Sequence, residues 1–125
     1  MAYIKLYNKT GDAKAVQKQE QLEKGFGGKL PQVFQAMGRS GDFLGSVLQM
    51  AGAAGSNLDP KTKELIAIAV SAANGCDYCV SAHIASAKGI GVTEDEITGA
   101  IEVAAALSAF NTFNKATGLD IDIKG

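Results

Sequence analysis

The chain has 125 residues, the length of one domain, and its 12 Lys/Arg against 13 Asp/Glu leave a formal charge of -1. That balance offers no strongly basic surface for a phosphate backbone, so no nucleic-acid partner is expected. Residues of hydrophobic type make up 46% of the chain with no Trp, enough for a core built from Ala, Val, Ile and Leu, and no apolar run approaches the length of a membrane span.

The opening MAYIKLYNKT lacks the long apolar stretch of a secretory signal, so the cytoplasm is the expected compartment. Tyr3, Leu6 and Tyr7 among polar residues suit a short strand or an irregular arm, which could pack on another subunit. Residues 12 to 24 predict a helix, with Ala13, Val16 and Leu22 as an irregular apolar stripe, ending near Gly25. Gly25-Phe26-Gly27-Gly28 is a turn and not a phosphate loop, because no Lys-Ser or Lys-Thr follows the glycines. Pro31 suits a helix first turn, and Leu30, Val33, Phe34 and Met37 continue a short amphipathic helix closed by Gly38. Ser40 or Asp42 caps the next helix, where Phe43, Leu44, Val47, Leu48 and Met50 run towards Gly52 or Gly55. Phe34, Met37 and Phe43 read as core residues.

The second half is patterned more sharply. Asp59-Pro60 supplies a cap and a first-position proline, followed by Leu65, Ile68, Ala69 and Ala72 at helical spacing. Ile66 and Val70 widen that apolar arc, so burial on more than one side is expected. Asn74-Gly75 breaks the helix, and Asn74 with Asp77 suggests a cap for a new one that carries Cys76 to about Lys88 and stops at Gly89. Thr93 to Glu96 is a capping box opening a long helix through Ile97, Ile101, Leu107 and Phe110 towards Thr117, with Gly118 as its stop. Ile121-Asp122-Ile123 is a frayed or docked tail. The fold class is therefore all-α, with antiparallel helices and a Cys-x-x-Cys at a helix N-terminus. One domain is expected over residues 1–125, with an arm and helix over 1–28 and a helical core over 30–118. The apolar, alanine-rich arc around 97 to 110 points to a homo-oligomer, with Phe110 and Phe113 in its core or interface.

Cys76, Cys79 and His83 stand at i, i+3 and i+7, which places them within about 60° on one helical face. Two cysteines alone make no secreted disulfide scaffold, and Cys-x-x-Cys points to redox or metal chemistry. A free thiol near pKa 8.5 is only a few per cent ionised at neutral pH, and a drop of about 1.5 units at a helix N-terminus would ionise roughly half. His83 lies one turn beyond Cys79 and can take a thiol proton. Glu64 lies ten residues before Asn74 and His83 nine after it, so an antiparallel hairpin sets the two level. An inward Glu64 needs a partner, and His83 is the candidate. The proposed relay is Cys79, His83, Glu64. The same four groups, Cys76, Cys79, His83 and Glu64, could instead hold zinc, although their spread along the helix makes convergence on one ion awkward. Buried, inert roles for the cysteines and a core role for His83 are the plainer alternatives. No cofactor is expected.

The span Leu58 to Gly89 resembles the carboxymuconolactone decarboxylase superfamily, in its alkylhydroperoxidase (AhpD)-like branch. The shared pattern is Glu, eleven residues, Cys-x-x-Cys, three residues, His, matched here by Glu64, Cys76, Cys79 and His83. The resemblance implies an AhpD-like all-helical fold, oligomeric as a trimer or hexamer, and thiol-dependent peroxidase chemistry. It implies that Cys79 attacks a small hydroperoxide, that Cys76 resolves the product to a disulfide, and that a thiol or dithiol reductant restores the pair. The branch carries a further His just before its second cysteine, where this chain has Tyr78, a candidate for contact with substrate. A disulfide oxidoreductase, or a redox-sensing or metal-binding oligomer without turnover, is the alternative function. The decarboxylase branch lacks the cysteine pair, so decarboxylation is not expected.

Overall fold

Polar caps and glycines divide the chain into six α-helices, and the computed structural model describes them over residues 1–125. They are α1 (Ala13–Gly25), α2 (Gln32–Ala36), α3 (Gly41–Ala53), α4 (Pro60–Asn74), α5 (Asp77–Gly89) and α6 (Glu94–Thr117). The all-α expectation holds. The residues group into two compact units, Met1–Ser56 and Asn57–Gly125.

In the first unit the arm has no regular structure, but it is tied to its own chain. The Tyr7 N–H donates to the Gln35 carbonyl at 2.9 Å, and the Lys9 N–H donates to Gln19 Oε1 at 2.9 Å. Gln19 is fully buried, and its Nε2 donates to the carbonyls of Tyr7 and Phe34, each at 2.8 Å. The inward face of α1 is thus Ala15 and Gln19, not the predicted stripe of Ala13, Val16 and Leu22. A buried amide is stable here because both its oxygen and its nitrogen find backbone partners. Gly38 leaves room for this cluster: a Cβ there would overlap Gln19 Nε2 and crowd Tyr7. Asp12 caps α1 by accepting from the Ala15 N–H at 2.8 Å, and also accepts from the Gly41 N–H at 3.0 Å, tying the starts of α1 and α3 together. Ser40 caps α3, accepting from the Phe43 N–H. Pro31 precedes α2 as its cap instead of lying inside the helix. Phe43 and Met50 are exposed and Leu44 alone of the predicted α3 stripe is buried, so the expected core role of Phe43 fails within the chain.

In the second unit Ile68 of α4, Ala87 of α5, Val92 of the turn after α5, and Ile97 of α6 form the buried core, with Leu65 and Ile84 packed against it. Asp59 accepts from the Thr62 N–H and hydroxyl, Pro60 occupies the first turn, and α4 starts where the sequence places it. Thr93 caps α6 by accepting from the Glu96 N–H at 3.1 Å, and Gly118 ends it in the left-handed region. Ile66 and Val70 are exposed, so the second buried side predicted for α4 is absent within one chain. Phe110 and Phe113 are exposed too, which removes the core half of their predicted role.

Candidate functional site

The predicted redox residues all lie on the α4–α5 hairpin. α4 ends because Gly75 takes φ 74°, a left-handed conformation that costs glycine nothing. The Gly75 N–H then closes onto the Ala72 carbonyl and the Cys76 N–H onto the Ser71 carbonyl at 3.0 Å. These bonds satisfy the carbonyls at the end of α4 and turn the chain directly into α5.

The cap of α5 is Cys76, not Asn74, which is the last residue of α4. Cys76 has extended backbone angles, φ -96° and ψ 90°, and its Sγ accepts from the Cys79 N–H at 3.2 Å. The three-residue face predicted for one helix therefore holds only for Cys79 and His83. Cys76 joins them from just outside the helix, through its sulfur. Gly75 carries the signal for this shift. A left-handed glycine belongs immediately after a helix, which makes Asn74 a last turn and leaves Cys76 as the first residue able to cap the next helix.

Cys76 and Cys79 form a disulfide, with Cα atoms 5.3 Å apart. Both residues are half-buried. The pair is closed at the positive end of the α5 dipole, the place where a thiolate released by reduction is best stabilised. One turn further, His83 Nδ1 meets Glu64 Oε2 at 2.9 Å. The hairpin sets them level as the residue count predicts. A carboxylate can only accept, so this contact places the ring proton on Nδ1 and leaves the Nε2 lone pair free to act as a base. The His83 side chain is 40% exposed and that of Glu64 is 22% exposed. Glu64 is thus the shielded member and His83 the one open to a proton acceptor or donor outside. Tyr78 lies exposed on the first turn of α5 between the two cysteines in sequence.

With the sulfurs bonded to each other, no group of three or more His, Cys, Asp or Glu side chains is gathered to hold a metal ion. What the arrangement can do chemically is exchange two electrons at the sulfurs and move a proton at His83.

A model of the carboxymuconolactone decarboxylase family matches residues 41–120. The chain is 38% identical over 71 residues to Uncharacterized protein 4 in cox locus of Paracoccus denitrificans, covering 54% of this chain and 64% of that one. It is 48% identical over 46 residues to alkyl hydroperoxide reductase AhpD of Anaeromyxobacter dehalogenans, covering 37% of this chain and 25% of that one. The chain therefore spans under two thirds of the first relative and a quarter of the second. The crystal structure of the alkylhydroperoxidase AhpD core from Rhodospirillum rubrum superposes with a TM-score of 0.83 at 21% identity, over 98% of this chain and 95% of that one. The fold is that of the AhpD core.

Proposed function

The chain belongs to the carboxymuconolactone decarboxylase family, and from that premise we propose that it is a thiol-dependent peroxidase. It reduces small hydroperoxides through a dithiol–disulfide cycle of Cys76 and Cys79, assisted by His83 and Glu64. The observation that carries the reading is the closed Cys76–Cys79 pair one helical turn from an imidazole whose Nδ1 is held by Glu64.

In this reading His83 Nε2 takes the proton of the Cys79 thiol, the Cys79 thiolate attacks one oxygen of ROOH and the O–O bond breaks. Cys79 becomes a sulfenic acid, and the departing alkoxide takes that same proton back from His83 to leave as ROH. The Cys76 thiolate then attacks the Cys79 sulfur. The S–O bond breaks, hydroxide leaves as water after protonation, and the disulfide closes. Two thiols and one hydroperoxide have become a disulfide, an alcohol and water. An external thiol or dithiol, oxidised in turn, restores both cysteines. Glu64 touches neither sulfur nor peroxide. It fixes the imidazole tautomer and balances the charge when the ring is protonated. The protein works without a cofactor, as a homo-oligomer such as a trimer or hexamer, in the cytoplasm.

Intact mass tests this directly. The reduced protein, exposed for seconds to a small excess of an organic hydroperoxide, should lose about 2 Da, the two hydrogens given up on closing the disulfide. The rate should far exceed that of a free thiol, and Cys79→Ser should abolish turnover. Oxidation no faster than that of a free thiol would overturn the peroxidase reading.

Tyr78 favours a second reading. It stands where the resembling branch carries a His, so His83 is the chain's single imidazole. A disulfide oxidoreductase needs only the sulfur exchange. It would show fast reduction of the pair by dithiols together with slow reaction with peroxide.

A further inference from the structure

The turn that carries the cysteines borders a cavity that the sulfur chemistry leaves unused. It lies between α4 and α6, has a volume of about 170 Å³, and is lined by Ala72, Ala73, Ile101, Ala104, Ala105 and Ser108. The two helices pack side by side and run parallel. Ile68 meets Ile97 in the core, and further along both helices Ala72 and Ala73 stand across the cavity from Ile101 to Ser108. The α4 wall is thus the end of that helix, the part bonded to the redox turn. The Gly75 N–H donates to the Ala72 carbonyl at 3.2 Å, and the Cys76 N–H donates to the Ser71 carbonyl at 3.0 Å. About one helical turn separates the alanine wall from Cys76.

Size, shape and chemistry narrow the occupant. An apolar cavity of about 150 Å³ holds the six carbons of benzene, so this one has room for about six. Its α6 wall runs from Ile101 to Ser108, about 10 Å of helix axis, which makes the space a slot and not a bowl. The slot is open because most of its lining side chains are single methyl groups. None of them is charged and Ser108 alone is polar, so the walls suit hydrocarbon and offer nothing to an ionic group.

We infer that this slot takes the tail of the hydroperoxide and selects an unbranched alkyl chain of about six carbons, with Ala104 and Ala105 setting its width. The inference rests on the peroxidase reading for the reacting head, but the tail can be tested without it.

1-Hexanol carries the tail without the peroxide. Added at millimolar concentration to the oxidised full chain labelled with ¹³C-methyl alanine, it should shift the signals of Ala72, Ala73, Ala104 and Ala105. The signal of Ala15, buried in the first unit, should stay in place. Ala105→Leu pushes a longer side chain into the slot and should abolish the shifts of the other three alanines. Disulfide closure supplies a second readout. Its rate, divided for each peroxide by the rate with a free thiol, should rise at least roughly tenfold from ethyl to 1-hexyl hydroperoxide as methylenes leave water. Cumene hydroperoxide, branched and aromatic, should show no such rise. In Ala105→Leu the hexyl-to-ethyl ratio should fall to about one. Should that variant lose its helical signal, Ala104→Leu takes its place. Alanine signals unmoved by 1-hexanol would overturn the inference, as would equal ethyl and hexyl rates in a reactive wild type. So would cumene hydroperoxide matching the hexyl compound, or a folded variant that behaves as wild type. A wild type no faster than a free thiol with every peroxide would count against the peroxidase reading alone, and the alanine shifts would then decide the slot.

Discussion

Glu64 meets His83 through one carboxylate oxygen at 2.9 Å, from the more shielded side of the pair. Glu64→Gln is the informative change there, because the amide oxygen can still accept the Nδ1–H while the charge is gone. Peroxide turnover should fall by at least roughly tenfold, about 1.4 kcal/mol in the barrier. A merely structural role for Glu64 would leave thiol reactivity alone, so the alkylation rate of each reduced cysteine is the discriminating readout. Alkylation of Cys79 by iodoacetamide should slow and that of Cys76 should not. Equal turnover in the wild type and the Glu64→Gln variant would sink the relay. The pairing of Glu64 with His83 was legible in the sequence because hairpin geometry is arithmetic: equal distances from a break place two residues side by side. The cap was not legible. Asn is a better cap than Cys by propensity, and only the left-handed Gly75 moves the helix start past it.

At the scale of elements, the two units are held by different means. α4, α5 and α6 meet on Ile68, which is fully buried. Ile68→Ala should cost about 3 kcal/mol, the transfer loss plus a cavity that the neighbouring helices fill only in part, read from the midpoint of urea unfolding. The first unit adds a buried amide, Gln19, to its apolar residues Ala15, Leu30 and Leu44. Gln19→Leu has nearly the same size, yet it removes the side-chain partner of the Lys9 N–H and of the carbonyls of Tyr7 and Phe34, leaving Lys9 and Tyr7 only the 3.1 Å bond from the Lys9 N–H to the Tyr7 carbonyl. Losing those three bonds should cost about 2–4 kcal/mol, and the Lys9 amide should exchange with solvent hydrogen faster. Sequence periodicity reads Gln19 as a surface residue because it registers polarity, not the backbone groups of an arm that arrives from elsewhere. The same limit explains α6. Its apolar arc was visible, but periodicity reports that a face is apolar and says nothing of whether the cover lies within the chain. The predicted second burial of α4 at Ile66 and Val70 fails for that reason.

Across the whole molecule, acid acts on both units through the same device. Hydrogen bonds from the N–H groups of Ala15 and then Gly41 hold the Asp12 carboxyl below the ordinary carboxylate range. The Thr62 hydroxyl and then its N–H do the same for Asp59. A carboxyl lowered on folding contributes stability that is fully present above its unfolded pKa, near 3.9, and is lost as pH falls through the folded value. Asp12 starts α1 and Asp59 starts α4, so protonation below about pH 4 loosens the first turn of one helix in each unit. Asn caps a helix about as well as Asp but does not titrate. The double variant Asp12→Asn with Asp59→Asn should therefore fold at neutral pH and lose less thermal stability than wild type between pH 5 and pH 2.5, by calorimetry at matched ionic strength. The remaining carboxylates are common to both proteins and cancel in the comparison, so parallel curves would mean that these two caps take no part in the acid response.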